Sequence, residues 1–209
     1  FHARAEVVAE LAAEFSRGLR SAGMAAVAKH FPGHGAVVAD SHEQLPVDRR
    51  EYGDVLDDMR PYDKLIGNGL VAGVMMAHIL YPQMDPLPAG FAPFWIQREL
   101  RSRLGFDGAV LSDDLSMKAT RRYGTMPERA RRALEAGCDM ILVCNDRDAA
   151  QATVRALRNY SNPLSLVRLA RLHGTGHVMR ESLLASDEWD EAHSELSKWT
   201  EPPELELDA

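Results

Sequence analysis

The feature that most constrains this chain is a unit that recurs four times: a short uninterrupted apolar run, a polar loop, then a stretch with helical spacing. The apolar runs are 24–28, 71–77, 109–111 and 140–144. Uninterrupted rather than alternating apolar residues mark strands of a parallel sheet covered on both faces. Helix signals fill the intervals. Val8, Leu11, Phe15 and Leu19 make one face of a helix over 4–22 that Gly23 stops. A second helix is expected over 54–67, kinked or restarted at Pro61. Pro93 is placed as the first residue of a helix carrying Ile96, Leu100 and Leu104 and closed by Gly105. Thr125 and Pro127 open another that Gly137 closes, and Asn145 and Asp146 cap 147–158. The fold class is therefore α/β with parallel strands. Four such units make half of an eight-stranded barrel, and an open half leaves two unpaired edges. The expected architecture is the C-terminal half of a TIM-type (β/α)8 barrel, with four more strands before Phe1. Residues 1–185 form the barrel part. Residues 186–209 form a C-terminal helix and an acidic tail, EPPELELDA, expected to be frayed or disordered.

Composition narrows the function classes. With 24 Lys and Arg against 31 Asp and Glu, the net charge of −7 argues against nucleic acid, whose phosphates demand clustered basic residues. No apolar run approaches the roughly 18–20 residues that span a bilayer, so no membrane partner is expected. The opening FHARAEVV has no initiator Met and no signal-peptide pattern, and reads as lacking a natural N-terminus. The two cysteines, Cys138 and Cys144, fall at one buried strand end with no partners at metal spacing. They fit reduced thiols in a cytoplasmic protein.

Every conspicuous polar residue falls just after an apolar run, the edge on which parallel α/β folds build their sites. Lys29-His30-Phe31-Pro32-Gly33-His34-Gly35 gathers an ammonium and two imidazoles in a loop that glycine lets turn tightly. That density of donors suits a polyhydroxylated or anionic ligand; a purely structural turn is the alternative. In Asp40-Ser41-His42, the carboxylate is positioned to accept from one ring nitrogen and leave the other free for proton transfer, unless the tripeptide is only solvated loop. Ser112-Asp113-Asp114-Leu115-Ser116-Met117 ends a buried strand in two carboxylates. One could be a nucleophile or metal ligand while the other caps the next segment, or both could be caps. His78, closing the second run, reads as a core histidine with a satisfied ring. His2, His173, His177 and His193 receive no role. Trp95, Trp189 and Trp199 read as core or helix-packing residues, and Arg121, Arg122, Arg131 and Arg132 as solvated basic faces.

KHFPGHG, then ADSH, then MMAHI, then LGFDGAVLSDDLSM, in that order, resembles the bacterial exo-acting β-N-acetylglucosaminidases of glycoside hydrolase family 3. The resemblance runs from Phe1 to about Leu172. It implies a TIM-type barrel that removes terminal β-linked N-acetylglucosamine, notably from muropeptides in peptidoglycan recycling, or from chitobiose-like sugars, without a cofactor or metal. By position, Asp113 corresponds to the family's nucleophile, His42 to its unusual general acid/base, and Asp40 to the carboxylate paired with it. Lys29 and His30 match residues that hold sugar hydroxyls, and Met117 lies beside the nucleophile. A substrate-binding arginine of the family pattern falls just before Phe1, so the N-terminal half of the barrel is an implied partner. Two other readings stay open. One is a metal-dependent amidohydrolase-like barrel using Lys29, His78 and Asp113. The other is a half-barrel assembly module that is inactive alone.

Overall fold

A computed structural model describes residues 2–39, 41, 43–176 and 178–200. The acidic tail, His177, Asp40 and His42 lie outside the described residues. Four strands, β1 (Val27–Phe31), β2 (Gly73–Met76), β3 (Ala109–Asp114) and β4 (Met140–Leu142), form one sheet in the order β1-β2-β3-β4. All neighbours pair in parallel. Sequential strands lying side by side, each reached through helical segments, make the wall of a (β/α) barrel.

The two inner strands are buried almost throughout, as an uninterrupted apolar run requires. The outer two are not. Val27 in β1 and Met140 in β4 are exposed, so the expectation of four equally covered strands holds only for β2 and β3. The strand limits also move. β1 starts three residues later than expected and carries Lys29 and His30 within the strand, while β3 extends through Asp113 and Asp114. Polar side chains at the carboxyl ends of strands are thus held by the ladder rather than by loops. The cysteines do not share a strand end: Cys138 precedes β4 and Cys144 follows it.

Helix α1 (Ala5–Ser21) packs against α2 (Tyr52–Gly67), but not through the expected face. Its buried residues are Ala9, Ala13 and Ser16, whereas Leu11 and Phe15 are exposed. Small residues let two helix axes approach closely, and ion pairs from Arg60 to Glu6 (2.7 Å) and from Lys64 to Glu10 tie the rims. Pro61 does not restart α2, which is assigned as one helix from Tyr52 to Gly67. After β2, Pro93 precedes a helix over Phe94–Arg103 wound wider than an α-helix, with Trp95, Ile96 and Leu100 in the core. Helix α3 (Met126–Ala136) opens with the Thr125–Glu128 capping box and ends at Gly137, whose φ is +121°. Helix α4 (Arg147–Ala156) is capped by Asp146, which accepts from the Ala149 N–H at 2.9 Å. Helix α5 (Pro163–Ala170) follows, capped by Asn162.

The chain divides into two compact units, 1–174 and 175–209. The second holds α6 (Arg180–Leu184) and α7 (Asp187–Thr200). Trp95 is a core residue as expected, but Trp189 and Trp199 on α7 are exposed. No helix among the described residues is long and apolar enough to cross a membrane.

Candidate active site

The carboxyl ends of the strands bring together His30 from β1, His78 just past β2, and Asp113 and Asp114 from β3. The two adjacent carboxylates are separated by their surroundings. Asp114 is engaged at both oxygens: Oδ1 accepts from the backbone N–H of Ser116 (2.9 Å) and of Cys144 (3.0 Å), and Oδ2 from the Ser116 hydroxyl (2.5 Å). It ties the end of β3 to the turn that follows and to the segment after β4. Asp113 is different. Its Oδ1 accepts from the Asp114 N–H at 2.8 Å, while Oδ2 faces His30 Nε2 at 3.6 Å, and the side chain is 16% exposed. One carboxylate is a cap and the other leaves an oxygen facing the His30 ring, the division that adjacent Asp residues at a strand end allow.

His30 is half-buried against Asp113. Burial pushes its imidazole below the usual histidine range, outweighing the attraction of Asp113, with Lys29, His34 and His78 adding to the depression. Its Nε2 stands 3.6 Å from the carboxylate, an ion-pair distance longer than a hydrogen bond. Its ring meets His34 edge-on, with centroids 5.8 Å apart. Lys29 is exposed on β1. The Lys29–His30 and Phe31–Pro32 peptide bonds are both cis. A cavity of about 780 Å³ along the edge of β1 is lined by Lys29, His30 and His34 together with Phe15 of α1 and Tyr62 of α2. Asp113 is not among its lining residues.

The loop after β1 is held by residues that carried no signal as motifs. Tyr81 donates to the Gly33 carbonyl at 2.7 Å. Gly33 itself abuts α2 so closely that an added Cβ would lie 2.7 Å from Asp58 Cβ, which is why glycine stands there. Asp58 in turn pairs with Arg50, whose guanidinium also binds Asp48 at 2.7 Å and is held firmly charged by the two carboxylates. Behind β3, buried Arg129 of α3 donates to the Leu115 carbonyl (2.5 Å) and to Thr120 Oγ1 (2.8 Å), fixing the turn that leaves the strand. Its signal was its place beside Ala130 and Ala133 on the buried stripe of α3. By contrast Arg121, Arg122, Arg131 and Arg132 are exposed, as expected of basic faces.

Of the other expected site residues, Met117 is 5% exposed and closes the turn after β3, its N–H donating to the Asp114 carbonyl at 3.3 Å. Asp40 and His42 lie outside the described residues. Ser41 between them is buried, its carbonyl accepting from the Ala119 N–H at 3.4 Å, and Glu43 pairs with Lys118. Among the described residues no group of three or more His, Cys, Asp or Glu side chains is arranged to hold a metal ion.

The family profile described as "Glycosyl hydrolase family 3 N terminal domain" matches residues 1–171. The chain belongs to this family. It is similar to the beta-hexosaminidase of Thioalkalivibrio sulfidiphilus, 49% identical over 208 residues, covering 100% of this chain and 60% of that protein. It is also similar to that of Hydrogenovibrio crunogenus, 47% identical, covering 91% and 54%. Among solved structures, NagZ from Neisseria gonorrhoeae in complex with N-trifluoroacetyl-D-glucosamine superposes with a TM-score of 0.85 at 36% identity, covering 97% of this chain and 59% of that one. A family 3 beta-N-acetylglucosaminidase from Paenibacillus sp. gives 0.79 at 33% identity, covering 93% and 41%. The chain thus spans 60% or less of the length of these relatives. The fold of this family 3 chain is the partial TIM-type barrel expected from the recurrent βα units.

Proposed function

We propose that this family 3 chain serves a retaining exo-β-N-acetylglucosaminidase that works through a glycosyl-enzyme on Asp113. The observation that carries the choice of Asp113 is the contrast between the two carboxylates: Asp114 spends both oxygens on Ser116 and Cys144, whereas Asp113 accepts through Oδ1 and leaves Oδ2 facing the His30 imidazole at 3.6 Å. In this reading Asp113 Oδ2 attacks the anomeric carbon, the glycosidic bond breaks, and the leaving oxygen takes a proton from His42. Water then gives its proton to His42 as it attacks the same carbon, releasing the sugar and freeing Asp113. Asp40 holds the His42 ring in the working tautomer. Lys29 and His30 hold sugar hydroxyls, and Met117 walls the site.

The substrate is a terminal N-acetylglucosamine on a muropeptide or a chitobiose-like sugar, and no cofactor enters either step. A cytoplasmic location suits the two free thiols, Cys138 buried and Cys144 half-buried. The test is kinetic, on the longest natural polypeptide that carries this sequence. Asp113→Asn is expected to lower turnover of an aryl N-acetylglucosaminide by at least about a thousandfold, because the covalent step loses its nucleophile. His42→Ala should slow substrates with poor leaving groups far more than activated aryl glycosides, and Asp40→Ala should do the same more mildly. Near-normal turnover in Asp113→Asn with loss in Asp114→Asn would reverse the assignment. Equal losses on both substrate types in His42→Ala would make that residue a sugar contact.

A further inference from the structure

We propose that His78 is a positioning residue for Asp113, its buried ring tying the end of β3 to the end of β2 through a hydrogen bond to the Asp114 backbone. The proposal rests on the reading of Asp113 as nucleophile and adds to it a residue outside the reacting groups. His78 follows β2 by two residues and is 1% exposed. Its Nε2 lies 3.1 Å from the Asp114 carbonyl oxygen, close enough for the ring N–H to donate. The register between β2 and β3 ends at Met75 opposite Leu111. The His78 bond therefore grips β3 three residues beyond the last registered pair, at the Asp114–Leu115 peptide, one residue past Asp113. On its other side the same strand end is held by β4: the Leu115 N–H donates to the Leu142 carbonyl at 3.0 Å, and Asp114 accepts from Cys144. His78 supplies the matching hold on the β2 side.

The chemistry of the ring fits this task better than packing alone. With Nε2 donating, Nδ1 is an acceptor, and it has no hydrogen-bond partner among the described residues. The backbone of Gly90 closes over that nitrogen, a Cβ there lying 3.5 Å from it, and Phe91 packs at 6.0 Å between centroids. A residue kept only to fill this space would be apolar and would bury no lone acceptor. Burial also pushes the imidazole below the usual histidine range, against the opposing pull of Asp113 and of the strand-end carbonyls. The ring thus gives a donor without bringing a positive charge up to the attacking carboxylate.

Two substitutions separate positioning from packing. His78→Gln places an amide N–H where Nε2 sits, and His78→Met fills the volume with no donor. On the longest natural polypeptide carrying the sequence, His78→Met is expected to lower kcat for an aryl N-acetylglucosaminide by about ten- to a hundredfold, the range for slight misplacement of a reacting group. KM should change little and the unfolding midpoint should hold or rise. His78→Gln should return kcat to within about threefold of wild type, because the donor is restored. Wild-type kcat in a folded His78→Met would overturn the proposal, as would a His78→Gln equally impaired while both variants keep the wild-type unfolding midpoint. Should His78→Met fail to fold, His78→Gln against the shorter His78→Asn decides: Gln active and Asn impaired supports positioning, and equal activity refutes it. A wild-type protein without turnover would overturn the hydrolase reading and this inference with it; intact wild-type turnover with an unaffected His78→Met would remove only the inference.

Discussion

Loss of the buried Asp139 carboxylate should cost this fold heavily. Its side chain is 1% exposed and gathers four donors: Arg101 Nη2 at 2.7 Å, the Val110 N–H at 2.9 Å, the Ser165 hydroxyl at 2.6 Å and Arg168 Nη1 at 3.4 Å. It joins the helix after β2, the start of β3 and helix α5. Arg101, 10% exposed, also donates to the carbonyls of Phe106 and Gly108. In Asp139→Ala that guanidinium keeps its burial and loses its ion-pair partner among the described residues, a loss of about 3–5 kcal/mol in comparable pairs. The stranded Val110 N–H draws on the same loss, so the total expected is about 4 kcal/mol. At about 2–4 °C per kcal/mol for a domain of this size, the thermal midpoint should fall by roughly 8–16 °C. Asp139→Asn keeps an acceptor for Val110 or Ser165 but no charge, and should lose about half as much. Differential scanning calorimetry and urea unfolding at one fixed pH measure both. An Asp139→Ala protein within about 1 kcal/mol of wild type would refute the assignment of this carboxylate as the junction of the three elements.

Other outcomes follow from the same geometry. Gly33→Ala should displace the loop after β1, because its Cβ meets Asp58 Cβ at 2.7 Å; turnover should fall together with about 1–3 kcal/mol of stability, read by kinetics and urea titration. His30 and His78 both have folded pKa values below the unfolded value of 6.5, so the unfolded chain takes up protons first as the pH falls. Their stabilising contribution is whole above 6.5 and is lost as the pH drops through the lower folded values. The urea midpoint should therefore decline from pH 7.5 to 5, and less steeply in His78→Gln; a slope unchanged by that substitution would mean that His78 does not remain neutral in the fold.

Much of this was legible in the sequence because the signals were local and physical. Continuous apolar runs placed four parallel strands, and Thr125, Gly137 and Asp146 marked helix ends because capping depends on neighbours a few residues away. SDD at a strand end was legible as two carboxylates of which one or both could cap the next segment, though nothing in the dipeptide says which. That distinction comes from Cys144, thirty residues later, donating to Asp114. Long-range partners of this kind were the systematic omission: Tyr81 on Gly33, Arg129 on Leu115 and His78 on Asp114 each join segments that pattern reading treats separately. The α1 face was misread for a related reason. Large apolar residues at helical spacing suggested the contact, but the close approach to α2 selects Ala9, Ala13 and Ser16 instead.

Covalent trapping tests the role of Asp113 most directly. The longest natural polypeptide carrying the sequence would be incubated with a slow 5-fluoro N-acetylglucosaminyl fluoride, quenched in acid, digested and mapped by tandem mass spectrometry. The expected result is a single sugar adduct on Asp113, with none on Asp114 and none after Asp113→Asn. An adduct on Asp114, or continued turnover of the fluoride with no adduct on either carboxylate, would contradict it.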